Sequence, residues 1–517
     1  MTKVRFEDFA LRLRETDDVA IIKRPIKAGV ELVSDAFQIS TRRDIPAGHK
    51  IAVTAIPDGG PLRRYGQIIG FAKGDIVAGD HVHTHNLVMK DFNREYEFCV
   101  DARPVAYYPP EQMRFFDGYT RPGGHVGTRN YIAVISSVNC SASVSHYVAD
   151  RFKGPDFKRD FPNVDGVIAF THKSGCSLQP GEPHKLLQRV LAGLARHPNI
   201  SGYVMIGLGC EVNQVQFIVK DYKLNQTLPG EARPTFLNIQ TAGGVRKTVE
   251  TAAAAVAKLL PSANDLRRTP QPISKLILAE NCGGSDGNSG ITANPALGVA
   301  SDELVRYGGT SVLAETPEIY GAEHLLTRRA VTREVGEKLI SFIHWWENYV
   351  RQFNATIDNN PTYGNKEGGL TTIYEKSLGA VAKGGQSPLA AVYEYAEPIT
   401  SSGFCFMDTP GYDPVSMTGL VTGGCNIGVF TTGRGSVYGC KPSPCIKVAT
   451  NTTLYDWMTE DMDINAGTIM DGTETVEQVG MRIFEKIIAV ASGDKTKSEL
   501  AGIGDEEFAP WILGPTF

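Results

Sequence analysis

Three histidines fall within five residues in the segment GDHVHTHNL, at His81, His83 and His85. As alternate residues of one extended strand they would share a face. Three neutral imidazoles on one face suit a first-row divalent ion, whereas a solvated edge strand would leave them without a task. Cysteine supplies a second set. Cys140, Cys176, Cys210 and Cys282 each end an apolar run and are flanked by small polar residues, although no CxxC pair occurs. Thiolates select zinc, iron or iron–sulfur centres, while a buried cysteine also serves plain packing. His172, four residues ahead of Cys176 in THKSGC, suits a general base, a ligand or a satisfied structural imidazole. Glu315 and Glu318 in AETPEIYGAEH suit metal ligation or proton transfer.

Short polar side chains crowd the glycine-rich stretch NCGGSDGNSGITANP, among them Ser285, Asp286 and Asn294. Such a loop offers backbone N–H groups and hydroxyls to an anion or polyol. It lacks the P-loop lysine, and no GxGxxG occurs, which disfavours a nucleotide. Asn365, Lys366, Lys376 and Arg434 lie in similar surroundings, and cations beside flexible backbone suit a carboxylate. Asp463 and Asn465 in DMDINAG precede a helical stretch, where capping is the plainer role. Three windows, 282–298, 364–385 and 419–439, hold 18 of the 54 glycines. That concentration points to one composite site where backbone approaches a small polar ligand closely.

These residues need a frame. The 517 residues suggest about three domains at roughly 150 residues each. Residues 1–100 read as a small β domain, with the runs VAIIK, KIAVTAI and QIIGFA between glycine and proline turns. Residues 101–120, rich in proline and aromatics, read as an ordered linker. From 121 the pattern becomes apolar strand, polar loop, helix: strands near 131–140, 166–176, 202–210 and 275–284 alternate with helices near 245–260, 333–353 and 475–493. Alternation of this kind implies α/β units with mostly parallel sheets, here 121–265 and 266–517, divided near the polar segment 262–274.

Composition excludes other classes. The net charge of −5 has no basic run for nucleic acid, and no stretch of about 18 apolar residues spans a membrane. The first residues lack an apolar signal core, so the cytoplasm is expected. Nine cysteines, an odd number, argue against a disulfide framework.

The motifs GLGCE (207–211), CGGSDGNSGITANP (282–295), GNKEGGLTTIYEKSLG (364–379), TTGRGSVYG (431–439) and DINAG (463–467) are similar, in this order, to those of the altronate/galactarate dehydratases. HVHTHN resembles that family's N-terminal β domain of SAF type. The resemblance implies a hydro-lyase that converts a sugar acid to a 2-keto-3-deoxy acid, with a divalent metal, Fe2+ before Mn2+. The histidine segment, GAEHLL, GGLTT and EKSLG are similar to the altronate branch, whereas Asn465 in DINAG is similar to the galactarate branch. Under this resemblance His83 and His85 hold the metal with His81 beside them, and the four cysteines are a second metal set. His172 is the base, Glu315 or Lys376 the acid; Lys366 and Arg434 clamp carboxylate; Ser285, Asp286, Asn294 and Asn365 bind substrate. The site then lies between the β domain and the α/β part. A sugar-acid-binding protein without catalysis and a related sulfo-lyase are the alternatives, and a homodimer is the base-rate assembly.

Overall fold

The computed structural model describes residues 2–90 and 94–514. The expected α/β class holds, with a strand-rich N-terminal unit followed by two parallel sheets. In the N-terminal unit, Ala10–Leu11, Val19–Ile22, Lys50–Ala52 and His81–Val82 form one sheet in that order. Antiparallel pairing of Ile51 with His81 brings the start of the histidine segment beside residues 49–52. Ile51, Leu62, Ile69 and Val82, all fully buried, anchor this unit.

The segment 101–120, read above as a linker, ends in the strand Phe115–Thr120. It pairs antiparallel with Thr269–Pro272, inside the stretch read as a boundary. Both connections thus form one ribbon, because each carries its backbone donors to the other.

The second unit is a four-stranded parallel sheet in the order Gly166–Phe170, Tyr131–Ser136, Ile200–Gly207, Thr235–Asn238. The third is a seven-stranded parallel sheet: Leu389–Tyr393, Gly403–Met407, Thr310–Leu313, Ile277–Cys282, Ile427–Thr432, Cys445–Ala449, Ile464–Asn465. Central strands such as Tyr131–Ser136 and Ile427–Thr432 are buried at every residue, as apolar runs covered on both faces must be. The alanine-rich helix spans Val245–Asp265, and the amphipathic helices span Arg333–Gln352 and Val476–Ala491. Thr475 and Gln478 form a capping box on the last of these.

Each parallel sheet reverses its build direction next to its first strand. In the third unit the chain moves from Ile277–Cys282 outward on one side, then returns to lay Ile427–Thr432 on the other. Diverging loops at such a reversal open a crevice at the carboxyl ends of the strands. The loops that leave these two strands are the glycine-rich stretches beginning at Cys282 and Gly433.

Candidate active site

At that crevice the loop after Ile277–Cys282 builds two adjoining groups. The inner one is buried. Cys282 ends the strand, and its thiol donates to Glu318 Oε2 at 3.6 Å. Lys383 Nζ donates to Cys282 Sγ at 3.0 Å and to Glu315 Oε2 at 3.1 Å. Lys376 Nζ pairs with Glu318 Oε1 and donates to Asn360 Oδ1 at 2.8 Å. Glu315 holds φ at +70°, a left-handed conformation that non-glycine residues rarely adopt outside constrained sites.

Burial and the Glu318 charge push the Glu315 carboxyl up to about 8, so it is neutral at pH 7. Burial and Glu318 likewise push Asp413 up to about 7, and burial pushes the Cys282 thiol up to about 12. Burial alone would lower the Lys383 ammonium, but Cys282 and Glu315 outweigh it and the shift is upward. Several polar atoms here are buried without a partner: both side-chain atoms of Asn281, Ser285 Oγ and Glu315 Oε1. Orphaned polar atoms of this kind mark where a polar ligand would bond.

The outer group joins the N-terminal unit to the third. His83, Lys366, Glu367 and Arg434 meet there, with His49 added. His49 Nε2 bonds the Glu367 carbonyl at 3.0 Å, and His83 Nε2 bonds the Lys366 carbonyl at 2.8 Å. A carbonyl only accepts, so both Nε2 atoms carry protons. His49 Nδ1 lies 2.9 Å from His81 Nε2, which must then be the donor. Burial lowers all three imidazoles, His81 to about 3 and His83 to about 4, so they are neutral at pH 7. A lone pair therefore remains on His81 Nδ1, while that of His83 Nδ1 accepts from the rotatable Thr84 hydroxyl at 3.2 Å. His85 adds a third ring, 5.6 Å from His81 between centroids. Backbone carbonyls that fix the remote N–H are the usual support of a metal-binding imidazole. This donor set fits a divalent ion.

The strand geometry expected for the three histidines is not what gathers them. The strand stops at Val82, and His83–Asn86 form a turn closed by Asn86 N to His83 O at 3.0 Å. His49 was missed because its 32-residue separation from His81 leaves no local signal.

The dock beneath this group is ionic. Glu375 accepts from Lys50 Nζ at 2.9 Å and Arg64 Nη1 at 2.5 Å, all three side chains being at most 1% exposed. Burial would raise the Glu375 carboxyl, but the two cations bring it down to about 2. Glycine permits the close fit. A Cβ on Gly287 would lie 2.0 Å from the Gly48 carbonyl oxygen, and one on Gly369 2.3 Å from it. Gly369 also holds φ at +100°. At these two positions the glycines admit another backbone, where the sequence suggested a ligand.

The other expected residues divide. Asp286 accepts from Ser289, Thr450 and Asn288, so it braces the loop. Asn294 accepts from Thr431 Oγ1 and donates to the Gly379 carbonyl. Asn365 completes a capping box with Thr362 and donates to Ser285 O at 2.8 Å. Arg434 is exposed and pairs with Glu367 at 3.5 Å. His172 belongs to the second unit: Nε2 donates to Ser136 O and Nδ1 accepts from Ser174 N, leaving no free lone pair. The four cysteines do not converge. Cys282 is buried in the third sheet, while Cys140, Cys176 and Cys210 are exposed at the second. Among the described residues, the group of three metal-capable atoms within 4.8 Å of one another is Cys282, Glu315 and Glu318.

Comparison with known proteins accounts for this architecture. Residues 8–90 match the altronate/galactarate dehydratase SAF domain. Residues 118–264 match the D-galactarate dehydratase/altronate hydrolase second domain, and 273–516 the D-galactarate/altronate dehydratase C-terminal domain. Galactarate dehydratase (L-threo-forming) of Escherichia coli strain K12 is 38% identical, covering 94% of this chain and 93% of its own length. Altronate dehydratase of Bacillus subtilis strain 168 is 34% identical over 95% of this chain and 96% of its own. The (2R)-sulfolactate sulfo-lyase subunit beta of Chromohalobacter salexigens is 30% identical over 76% of this chain and 96% of its own. The chain belongs to the D-galactarate/altronate dehydratase family and is an enzyme of the hydro-lyase class.

Proposed function

We propose that the chain dehydrates an altronate-type hexonate to the 2-keto-3-deoxy acid. The observation that carries this reading is the set of unpartnered buried atoms on Asn281, Ser285 and Glu315 at the strand ends of the crevice, where Asn365 bonds the Ser285 carbonyl and Arg434 N the Gly284 carbonyl. Arg434 and Lys366 pair with the substrate carboxylate, and Ser285 Oγ and the Asn281 amide bond its hydroxyls. The paired glutamates divide the proton work, since their surroundings set them apart. Glu318, whose Oε1 faces Lys376 Nζ and accepts from the Asn360 amide, takes the proton from the carbon beside the carboxylate. The C–H electrons form the new double bond, and the neighbouring hydroxyl leaves as water with the proton of neutral Glu315. The resulting enol tautomerises to the keto acid. His172 is left out of this set because both its nitrogens are engaged.

His81, His83 and His85 would hold a divalent ion, Fe2+ before Mn2+, which supplies a Lewis acid for the carboxylate and adjacent hydroxyl. The free lone pair of neutral His81, and that of His83 once the Thr84 hydroxyl turns away, support this choice over Cys282–Glu315–Glu318, where Lys376 and Lys383 already supply the positive charge.

A second reading, galactarate, is favoured by the 38% identity to the galactarate dehydratase and by Asn465. The test is anaerobic incubation with Fe2+, a reductant and a panel of aldonates, aldarates and sulfolactate, read by keto-acid formation. Altronate should turn over fastest. Faster galactarate or sulfite release from sulfolactate replaces the substrate, and binding without turnover on every compound overturns the catalytic reading.

A further inference from the structure

The second unit carries a feature that the proposed reaction does not use. Nine cysteines are free, and the exposed ones are Cys140, Cys176 and Cys210. Free cysteine is among the most buried residue types, so exposed thiols at matching positions call for an explanation. Each follows one of three neighbouring strands: Cys140 after Tyr131–Ser136, Cys176 after Gly166–Phe170, Cys210 after Ile200–Gly207. This sheet also reverses direction, between Tyr131–Ser136 and Ile200–Gly207. Cys140 and Cys210 therefore belong to the two walls of its carboxyl-end crevice.

The three loops are stitched into one frame. Asn139 N donates to Ser174 O at 3.0 Å, and Val212 N donates to Cys176 O at 3.1 Å. Asn213 reaches both other loops, donating from its backbone N to Gly175 O and from Nδ2 to Ser137 O at 2.8 Å. A Cβ on Gly175 would lie 2.6 Å from Ser137 O, and its φ is +102°, so only glycine lets these loops close on each other. These bonds fix the backbones of all three loops while their cysteines stay exposed, Cys210 Sγ accepting from Gln240 Nε2 at 3.3 Å.

The crevice also faces the same way as the site in the third unit. Helices Glu182–Ala195 and Asp413–Thr422 follow parallel strands of the two sheets and lie side by side. Leu186 and Val415 share a core cluster near their first turns, and a Cβ on Gly193 would meet the Thr422 carbonyl near their last. The helices run in one direction, so both sheets open on one side.

We propose that Cys140, Cys176 and Cys210 hold an iron–sulfur cluster through three thiolates, leaving one iron without a protein ligand. Each thiol gives its proton to solvent on binding. A single tetrahedral ion with bonds of about 2.3 Å needs its sulfurs roughly 3.8 Å apart. Among the described residues these thiols form no group within 4.8 Å of one another, so they are not gathered for a single ion. The soft ligand set selects iron–sulfur over hard ions.

The test does not depend on turnover, so it fails or succeeds apart from the proposed reaction. Anaerobically purified full-length protein is treated with Fe3+, sulfide and a dithiol that supplies the electrons for partial reduction of the iron, desalted, and read for bound iron, acid-labile sulfide, visible charge-transfer absorption and reduced-state EPR. The expected result is about four sulfides per chain, with about four irons beyond any ion on the histidine group. The Cys140→Ser/Cys176→Ser/Cys210→Ser variant should lose at least about tenfold of the sulfide and keep at most the ion on the histidine group, whereas Cys282→Ser should retain both iron and sulfide. Circular dichroism confirms that the variant is folded. Alkylation mapped by mass spectrometry gives a reading on unmutated protein: all three thiols should be protected after loading and reactive before it. Sulfide-free uptake of one zinc, full iron in the triple variant, or unchanged alkylation after loading each overturns the proposal.

Discussion

The histidine group and the Cys282 group lie along one loop and both collect metal-capable atoms, yet their charge states are opposite. Around Cys282 each glutamate faces an ammonium: Lys376 on Glu318, Lys383 on the neutral Glu315. Around His81 and His83 the rings are neutral, their remote N–H groups are held by the Lys366 carbonyl or His49, and the opposite lone pair is free on His81 and met only by the Thr84 hydroxyl on His83. Desolvation produces both outcomes. It favours the neutral form of any group, so carboxyls rise and imidazoles fall. In the carboxyl group that yields a proton donor; in the imidazole group it yields a ligand. The ability to gather donor atoms therefore does not by itself identify a metal site, because the charges already present decide what the donors can still take.

The sharpest way to break this contrast is at Glu315. Glu315→Gln keeps the shape and removes the transferable proton, so kcat should fall by about 10²–10⁴ with KM little changed. In the unmutated enzyme, turnover should decline as pH rises through about 8, where Glu315 loses its proton. A variant with near-normal kcat would return the acid role to Lys376. Lys383→Met, which leaves Cys282 Sγ and Glu315 Oε2 without their donor, should cost about 1–3 kcal/mol of stability in urea unfolding.

On the histidine side, His81→Ala or His83→Ala should weaken Fe2+ binding by at least about 10–100-fold, measured by anaerobic equilibrium dialysis. Glu318→Gln should leave that affinity within a few-fold while abolishing turnover. If Glu318→Gln removes the metal and the histidine variants do not, the two groups exchange roles.

The same contrast gives opposite pH slopes for metal-free protein. His81 and His83 have folded pKa values below the ordinary 6.5, so the unfolded chain binds more protons between about 3 and 6.5. Their contribution is present above pH 6.5 and is lost as pH falls, together with that of buried His172 and His197, both lowered to about 4. Glu315 and Asp413 have folded values above the ordinary range, so their contribution is present at acid pH and lost as pH rises through about 7 to 8. Urea midpoints should peak between these limbs, each limb amounting to a few kcal/mol. His81→Ala should flatten the acid limb and Glu315→Gln the alkaline one.

Much of this frame is written locally. Apolar runs ending in small polar residues mark the ends of parallel strands, and the residues just beyond them include Cys282, Glu315 and the Gly433–Arg434 turn. What the sequence conceals is pairing over distance. Lys50 and Arg64 meet Glu375 across more than 300 residues, and Lys383 reaches Cys282 across 101. No spacing rule links such partners, because the fold and not the helix or strand period brings them together. The glycines mislead for a related reason. A run such as GGL at 368–370 announces close approach, but not whether the approaching group is a ligand or the Gly48 turn of another unit.

The smallest effect expected lies at the rim. Arg434 is nearly half exposed, and its bond to Glu367 spans 3.5 Å, so in water the pair adds little to stability. Its value to the enzyme would be as a cation beside the crevice, where substrate carboxylate replaces Glu367 as partner. Arg434→Ala should then raise KM about tenfold with kcat and melting temperature nearly unchanged, the pattern of lost uniform binding. Glu367→Gln should lower KM slightly by freeing the guanidinium. It also leaves the Glu367 carbonyl, and so His49 and the metal affinity, untouched. A fall in metal affinity with Glu367→Gln would mean that the side chain, not the backbone, supports the histidine group, and the division between the two groups would have to be redrawn at this residue.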